Sequence, residues 1–485
     1  MAFLNLRFYI FLIALLLLLY NTKKEKNRQN IILVFCVLFY IFNAGKALIV
    51  AAFDSAIAFF IARRISKTKN VTLRKLYLFA GVIINILVLC LFKYNDFYIN
   101  TISLKFGMDE STLSLVMPIG ISFYTFKLVG YMVDIYRKDI SDAYSIRDVF
   151  LYSMFFPQIL SGPIEGAKDF LEDLENEHKI SFKGLENGAS RMMVGLFKKI
   201  VVADRIGACV DSVYSAPLAY SSLSVWLCVI GYSIQLYCDF SGYSDMAIGC
   251  GNMLGYNCKE NFDFPYFSKT FKEFWRRWHI SLSSWLTNYV YIPLGGSKKG
   301  KIRTYLNIFI TMIVSGLWHG SGIVFVIWGF GHACLMVMER IPDDLTAAYE
   351  NAKYSDKEDL EEDVEDVYSN IIWKIMEAIY TAFVFLVVTL LWVPFRAGTI
   401  EKTDMILYKI FTISEGIRYV PIYIIVYGCI LFIVSVYMYK KSGGHRNFDY
   451  INLRTFKGKL LFAFLFVITV CMAYIGDGAF IYANF

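Results

Sequence analysis

Histidine, arginine and aspartate side chains near the middle of the chain are the residue types that proton transfer and charge stabilisation require. His319 lies in the stretch Ser315–Gly322, between two apolar segments. Burial there favours a neutral imidazole, which can accept a proton. Glycines on both sides let backbone or a ligand approach closely. The pattern fits a general base in an apolar cavity, and it equally fits a buried histidine that is hydrogen-bonded between helices.

His279 belongs to the segment Phe271–Trp285, which predicts an amphipathic helix with a broad aromatic face and an opposing basic face. One interpretation is an interfacial helix that its tryptophans anchor. The other is that Arg276 or Arg277 binds an anionic ligand while His279 faces a cavity. Taken alone, the segment favours the interfacial helix.

The remaining histidines are interpreted as structural. His332 is predicted to pack inside an apolar helix, and His178 and His445 are predicted to be solvated loop residues. No HxxxH or HExxH spacing occurs and no cysteine pair has zinc spacing, so no metal site is predicted. The ten cysteines lie mostly in apolar runs, where a thiol acts as a small apolar filler.

Polar residues interrupt the apolar sequence at further places. Asp239 and Asp245 are predicted to line a cavity and to orient backbone, a hydroxyl or a histidine; the alternative is a polar helix break that caps the next helix. Phe156–Glu165 is interrupted by Pro and Gly, and such breaks line cavities in membrane proteins. The aromatic tail Phe480–Phe485 is predicted to anchor at an interface or, through Tyr482, to reach into a cavity.

The elements that position these residues follow from composition. Hydrophobic residues make up 57% of the 485 residues and charged residues 18%, and the mean hydropathy is +0.49. Soluble domains have about 45–50% apolar and about 25% charged residues. The composition therefore excludes a soluble globular protein. It predicts an all-α polytopic membrane protein with roughly 10–12 transmembrane helices, plus re-entrant or interfacial helices.

The charge pattern predicts an orientation in the membrane. The formal charge is +7, and basic loops on the cytoplasmic side explain it without nucleic acid. Clusters at Lys23–Arg28, Arg63–Lys75 and Lys298–Arg303 are predicted to be cytoplasmic, which requires a helical hairpin that turns at Asn43–Gly45. Basic residues after the first apolar segment predict a retained span and not a removed signal.

The chain is predicted to form a single membrane domain, 1–485. Residues 141–340 are predicted to be the core that carries the chemistry, because polar residues at membrane depth are costly and mark lined cavities. Residues 341–370 are strongly acidic and predict a solvated loop, and residues 371–485 predict further spans and the aromatic tail.

Five motifs occur in one order over about residues 150–330: Phe156–Glu165, Tyr237–Asp245, Asn261–Tyr266, Phe274–Gly296 and Ser315–Gly331. Together they resemble the membrane-bound O-acyltransferase family. Within that family the chain is similar to the membrane subunit of bacterial alginate O-acetylation and to peptidoglycan O-acetyltransferases, and more distantly to teichoic acid D-alanylation proteins.

The resemblance implies a ring of helices around a central funnel. It implies that His319 is the catalytic histidine and that His279 is the second active-site histidine. The tail is similar to a bacterial motif in which a tyrosine relays the acyl group, which would be Tyr482 here. Ala483 and Asn484 depart from the tail expected in the alginate branch.

The implied activity is O-acyl transfer in the plasma membrane, with acetyl favoured over D-alanyl. The donor would be cytoplasmic acyl-CoA or acyl carrier protein, with no bound cofactor. The acceptor would be a hydroxyl of an extracytoplasmic cell-envelope polysaccharide, or a secreted or membrane-anchored acyltransferase partner. The alternatives are D-alanyl transfer to teichoic acid, a transporter of a small molecule or acylated intermediate, which broken helices also fit, and a membrane scaffold.

Overall fold

A computed structural model describes residues 3–95, 117–353, 367–446 and 451–472, with side-chain surroundings for all of these except 343–353 and 367–373. The described residues fold into helices and turns, with no β-strand among them, and one isolated parallel bridge joins Tyr220 to Ile417. The all-α class predicted from the sequence is confirmed.

The helices of the described chain range from a single turn to 33 residues. Two π-helices occur in the described chain, Phe197–Ala203 and Thr287–Tyr291, a geometry that is frequent at functional sites. In chain order the α-helices are α1 Leu6–Tyr20, α2 Glu25–Ala44, α3 Leu48–Lys67, α4 Val71–Lys93, α5 Ile121–Arg137, α6 Ile146–Met154, α7 Phe156–Ile159, α8 Ala167–Asp173, α9 Phe182–Leu196, α10 Asp204–Ser215, α11 Ser222–Leu254, α12 Phe271–Arg277, α13 Ile280–Leu286, α14 Lys301–His319, α15 Ile323–Lys353, α16 Val367–Ala397, α17 Ile400–Phe411, α18 Ile422–Lys441 and α19 Phe456–Met472.

Contacts between residues group the described chain into two compact units. The first unit consists of residues within 1–205, 235–261 and 448–485, and the second of residues within 206–234 and 262–447. The first therefore contains α1 to α9 and α19, and the second contains α12 to α18. The single membrane domain predicted from the sequence stays a prediction.

Two predictions about helix boundaries have opposite outcomes. α2 ends at Ala44 and α3 begins at Leu48, and Gly45 between them has a φ of 52°, so the predicted break at Asn43–Gly45 is confirmed, and the helical hairpin stays a prediction. By contrast, α11 runs without interruption through residues 235–245, so the alternative of a polar helix break there is wrong.

Several described helices are long and apolar enough to cross a bilayer by length and composition, and the chain is a multi-pass membrane protein. α1 and α19 have only 15 and 17 residues, against about 20 for a full span. The predicted total of ten to twelve spans stays a prediction. Six candidate spans are found in the described chain, the first of which joins α2 and α3: Glu25–Lys67, Val71–Lys93, Ser222–Leu254, Ile323–Pro342, Lys374–Ala397 and Ile422–Lys441.

α14 and α15 pack closely because glycines of each helix meet the backbone of the other. A Cβ on Gly316 would lie 2.2 Å from the Phe325 carbonyl oxygen, and a Cβ on Gly329 would lie 2.3 Å from that of Met312. Small residues allow this approach between membrane helices. A short link joins the two helices, so the first turns of α15 lie beside the end of α14.

Candidate active site

His319 is the last residue of α14, and the chain turns sharply after it. Gly320 has an extended backbone, and its N–H donates to the Gly316 carbonyl at 3.3 Å, which caps the helix. A Cβ on Gly320 would lie 2.2 Å from the Phe325 ring, so this close approach requires glycine. The turn leaves the His319 side chain buried, with 2% exposure.

Three aromatic rings surround the His319 imidazole, and we call them the aromatic cage. The ring centroids of Trp318, Trp328 and Phe395 lie 4.9, 5.1 and 5.2 Å from that of His319, each edge-on. They come from α14, α15 and α16, so three helices hold the imidazole in place. A base held in this way, away from bulk water, suits the removal of a proton from a hydroxyl group.

His279 occupies a break between two short helices. α12 ends at Arg277, α13 begins at Ile280, and His279 between them has a positive φ of 43°. The single helix predicted over Phe271–Trp285 is therefore wrong. A positive φ costs a non-glycine residue about 1–3 kcal/mol, and residues held in this way cluster at functional sites.

The His279 ring is buried and lies close to the aromatic cage. Its side chain is 1% exposed, and its ring centroid lies 6.0 Å from that of Trp318, which also contacts His319. Burial lowers the pKa of His279 to about 3, so the ring is neutral at physiological pH. The two histidines predicted for the site therefore both contact one tryptophan.

His332 contacts Trp328 of the aromatic cage, although the sequence pattern indicated simple packing. We call His279, His319 and His332 the histidine cluster. Trp275 donates its indole N–H to His332 Nδ1 at 3.3 Å, and the Trp328 ring centroid lies 5.0 Å from that of His332. Trp328 thus contacts both His319 and His332. The available signal was the four-residue spacing of Trp328 and His332, which places them on one helix face. The hairpin that brings this face to His319 is a tertiary contact, which spacing alone does not predict.

The structure separates the two neighbouring arginines of α12. Arg277 is buried, and its guanidinium lies 2.8 Å from Glu273 and 3.5 Å from Asp263. It also donates to the Gly444 carbonyl at 2.9 Å, so its charge is neutralised and its donors are used within the protein. Arg276 is exposed and lines a cavity. Of the two, Arg276 is the one placed to meet an anionic ligand.

The cavity beside α12 and α13 has a volume of about 910 Å³ and a basic wall. Lys272, Arg276 and Arg340 contribute positive charge, against the carboxylate of Glu339. That carboxylate accepts the backbone N–H groups of Phe271 and Lys272 at 2.8 and 3.1 Å. The other lining residues are mostly hydroxyl-bearing or apolar: Thr270, Trp275, Ile280, Ser283, Ser284, Leu286, Thr287, Asn288, Tyr291, Ser297, Ile308, Thr311, Met312 and Met336.

Trp275 belongs both to the wall of this cavity and to the histidine cluster. Its ring centroid lies 5.6 Å from that of Trp328 and 5.0 Å from that of His332. In the part of the chain that the structure describes, none of the three clustered histidine rings lines this cavity. Trp275 therefore contacts both the basic cavity and the histidine cluster. The central funnel that the resemblance implies stays a prediction.

The two aspartates of α11 are ion-paired in the first unit, whereas the clustered histidines lie in the second. Asp239 is 2.6 Å from Lys199 Nζ, and Asp245 accepts from Arg191 at 3.1 Å and from Lys198 at 2.8 Å. Pairing compensates the cost of a carboxylate at membrane depth, so the helix continues unbroken. That Asp239 and Asp245 line a cavity or orient a histidine stays a prediction.

His178 is buried, so the predicted solvated loop position is wrong. Its Nδ1 lies 3.2 Å from Glu25 and its Nε2 lies 3.1 Å from Asp173, and its ring stacks on Tyr256 with centroids 4.0 Å apart. Glu25 and Tyr256 come from distant parts of the sequence, which the local charge pattern does not reveal. His445 is exposed, as predicted.

Two predicted features lie outside the described residues. Tyr482 belongs to the tail Phe480–Phe485, so its acyl relay stays a prediction. The greater part of the acidic segment 341–370 is also not described, and its role as a solvated loop stays a prediction.

The fold and the site together define a class of protein. A multi-pass all-α membrane protein holds a buried histidine in an aromatic cage, with a strained second histidine near it and a basic cavity adjoining the cluster. This is a histidine-centred membrane site suited to proton transfer and to charge stabilisation away from water.

Comparison with known proteins finds one family model and several relatives that match part of the chain. The model of the membrane-bound O-acyltransferase family matches residues 136–357. The chain is 37% identical over 341 residues to a probable alginate O-acetylase AlgI of Pseudomonas aeruginosa, covering 69% of this chain and 65% of that protein. It is 32% identical over 328 residues to a peptidoglycan O-acetyltransferase of Helicobacter pylori, covering 62% of each. It is 31% identical over 235 residues to a teichoic acid D-alanyltransferase of Bacillus subtilis, covering 46% and 59%.

Residues 136–357 match the model of this family, in agreement with the resemblance that the motifs carry. The matched region contains the three clustered histidines and the residues that line the basic cavity. The chain spans somewhat less than two thirds of the length of the relatives named, 65% in the first case.

Proposed function

We propose that the chain is a membrane O-acyltransferase that moves a small acyl group, foremost acetyl, from a cytoplasmic thioester to a hydroxyl group. The donor is acyl-CoA or an acylated carrier protein. The acceptor is a cell-envelope polysaccharide outside the cytoplasm, or a secreted or membrane-anchored partner that acylates it. The observation that carries this proposal is the buried His319 imidazole, held by the aromatic cage inside the family-matched region.

The transfer step needs one proton acceptor and one leaving group. The acceptor oxygen attacks the thioester carbonyl carbon while His319 takes the hydroxyl proton. The new C–O bond forms, the C–S bond breaks, and the departing thiolate takes up the proton from His319. General base catalysis of this kind contributes about 10²–10⁴-fold in rate.

The basic cavity supports an anionic donor. Phosphate groups of coenzyme A, or of the prosthetic arm of a carrier protein, would be attracted by Lys272, Arg276 and Arg340. Trp275 would then lie between the bound donor and the histidine cluster. The basic cavity would thus hold the donor beside the histidine cluster.

The aromatic cage supports a small acyl group. Three rings within about 5 Å of the His319 centroid leave little space for a longer chain. Two of the three relatives named above are called O-acetylases or O-acetyltransferases. D-Alanyl transfer is the competing assignment, because the third relative carries that name.

The proposal is tested by replacing His319 with alanine. We expect His319→Ala to abolish acylation of cell-envelope polysaccharide, measured by mass spectrometry of the purified polymer, while the protein level in the membrane is unchanged. His445→Ala is the matched control, because that histidine is exposed and is expected to keep full activity. Acetyl or D-alanyl esters in the wild-type polymer identify the acyl group.

Two outcomes would overturn the proposal. One is wild-type acylation by the His319→Ala protein. The other is passage of a substrate across proteoliposomes without any ester formed from acetyl-CoA or D-alanyl carrier protein, which would favour a transporter.

A further inference from the structure

The hydrogen bond from Trp275 determines which ring nitrogen of His332 carries the proton. An indole N–H can only donate, so the hydrogen bond from Trp275 at 3.3 Å makes His332 Nδ1 an acceptor without a proton. In the neutral ring the proton is then on Nε2, which becomes a donor. The side chain is 0% exposed, and among the described residues no acceptor lies within hydrogen-bonding distance of Nε2.

Two tryptophan side chains that contact His332 also have buried N–H donors. Trp328 and Trp392 are 0% and 1% exposed, and the described part of the protein offers no acceptor to either indole N–H. The ring centroids of Trp328 and Trp392 lie 5.7 Å apart, and those of His332 lie 5.0 and 6.0 Å from them. Three buried donors that find no acceptor among the described residues therefore belong to rings in mutual contact. We call these residues the donor cluster.

A buried donor without an acceptor is unfavourable, because it loses its bonds to water and gains nothing in return. Three such donors together are explained if an acceptor enters the cluster during function. An acceptor that gains negative charge would be held most strongly, since the surroundings are apolar and screen little.

We propose that the donor cluster binds the carbonyl oxygen of the acyl thioester and stabilises the negative charge that develops on it. This inference rests on the proposed acyl transfer. When the hydroxyl oxygen adds to the carbonyl carbon, the C=O π electrons move onto this oxygen, which accepts hydrogen bonds from the N–H groups. The electrons return when the C–S bond breaks.

The position of the donor cluster fits this role. Trp328 contacts His319 at 5.1 Å and His332 at 5.0 Å between ring centroids, so the proposed base and the donors flank one tryptophan. At the end of α14, Gly316 lies within the helix and the Gly320 N–H donates to the Gly316 carbonyl, so these two backbone amides are already used within the helix.

The experiment removes one N–H and keeps the shape of the ring. Trp328 is replaced by 3-benzothienylalanine, in which sulfur takes the place of the indole N–H. The same replacement at Trp226 is the matched control, because the Trp226 N–H donates to the Ile410 carbonyl at 3.0 Å. The purified proteins are reconstituted in proteoliposomes and assayed with acetyl-CoA and an oligosaccharide acceptor, or with D-alanyl carrier protein if D-alanyl is the group found in the polymer. Thermal unfolding is measured in parallel.

We expect opposite results at the two positions. Replacement at Trp328 should lower kcat by about 100- to 1000-fold, as loss of one oxyanion donor does, with KM for the thioester and Tm little changed. Replacement at Trp226 should lower Tm, because a carbonyl loses its donor, with kcat unchanged. If Trp328 contributes only packing, its replacement would leave kcat at the wild-type value, and this result would overturn the inference.

The two proposals can fail separately. If the wild-type protein transfers no acyl group, the proposed function and this inference are both overturned. If the wild-type protein is active and His319→Ala is not, but the Trp328 analogue keeps wild-type kcat, the acyl transfer stands and the donor cluster is overturned. Trp328→Phe, which also lacks the N–H, provides a second variant and should likewise lower kcat.

Discussion

Arg276 and Arg277 are adjacent in the sequence and yet do different things in the structure. Arg277 is held by Glu273 and Asp263 and by backbone carbonyls, whereas Arg276 is exposed in the wall of the basic cavity. A charge that the protein already neutralises contributes to stability. A charge that faces a cavity is available to a ligand. Substitutions at the two positions should therefore distinguish an effect on folding from an effect on donor binding.

We expect Arg276→Gln to raise the KM for acetyl-CoA by about 5-fold, which corresponds to the loss of about 1 kcal/mol of charge attraction, with Tm unchanged. Arg277→Gln should instead reduce the free energy of unfolding by about 1–3 kcal/mol, because the charged hydrogen bond to Glu273 and the ion pair with Asp263 are lost. Steady-state kinetics in proteoliposomes and thermal unfolding measure the two effects. Equal effects of both variants on KM would contradict this assignment.

The site could be predicted from the sequence only where the chemistry is local. His319 stands out because Gly, Ser and Trp surround it within a few residues. His332 does not, because its partner Trp275 lies 57 positions away in the sequence. The backbone break at His279 was also not predicted, since a positive φ at histidine is imposed by tertiary packing and not by local preference.

At the scale of elements, the aromatic cage depends on three helices. Trp318 lies in the last turn of α14, Trp328 lies in the second turn of α15, and Phe395 lies near the end of α16. Their common contact with His319 arises only when the helices pack. The space inside the cage should therefore set the size of the acyl group that can be transferred.

Enlarging the cage should relax the choice of acyl group. We expect Phe395→Leu to raise the rate with propionyl-CoA relative to acetyl-CoA by about 10-fold, since one methylene in a tight pocket is worth about 1–3 kcal/mol of discrimination. Phe309→Leu is the control, because the Phe309 ring contacts Phe330, with centroids 5.2 Å apart, and lies outside the cage. Competition between the two thioesters measures the ratio. A ratio equal to that of the wild type would show that the cage does not select the acyl group.

Helix α11 shows why element boundaries are harder to predict than helical class. Its polar stretch looks like a break when read locally, yet it is helical throughout. The reason is pairing: Lys198, Lys199 and Arg191 supply counter-charges to Asp239 and Asp245 from 40 or more positions away in the sequence. The all-α class could be predicted from composition and from the length of the apolar runs, because neither depends on contacts between distant residues.

At the scale of the whole molecule, the residues of the candidate site are concentrated in the second unit. The second unit contains the clustered histidines, the aromatic cage, the donor cluster and the basic cavity. The first unit contains the buried ion pairs of Asp239 and Asp245. The family match, 136–357, includes residues of both units. Topology in the membrane decides from which side each reactant can arrive.

Contacts within the second unit assign a side of the membrane to the cavity. α18 is a candidate span that ends in Lys440 and Lys441. Gly444, just beyond it, accepts a hydrogen bond from Arg277 at the end of α12. Because Arg276 beside it lines the cavity, the cavity lies on the side where α18 ends. Basic residues collect on the cytoplasmic side, so we expect the cavity to open there.

The exposed basic cluster that follows the cavity-lining residue Ser297 allows a direct test of this orientation. Cysteine is introduced as Lys299→Cys on the cavity side and as Ile413→Cys before the start of α18, in a background in which the exposed Cys429 and Cys471 are replaced by serine. In right-side-out vesicles, a membrane-impermeant maleimide should label Ile413→Cys but should label Lys299→Cys only after the vesicles are opened. The physical reason is that the span of α18 separates the two sites, while positive charge keeps the cavity side in the cytoplasm. Labelling of Lys299→Cys in sealed vesicles would place the cavity outside the cytoplasm, and a cytoplasmic thioester could then not be its ligand.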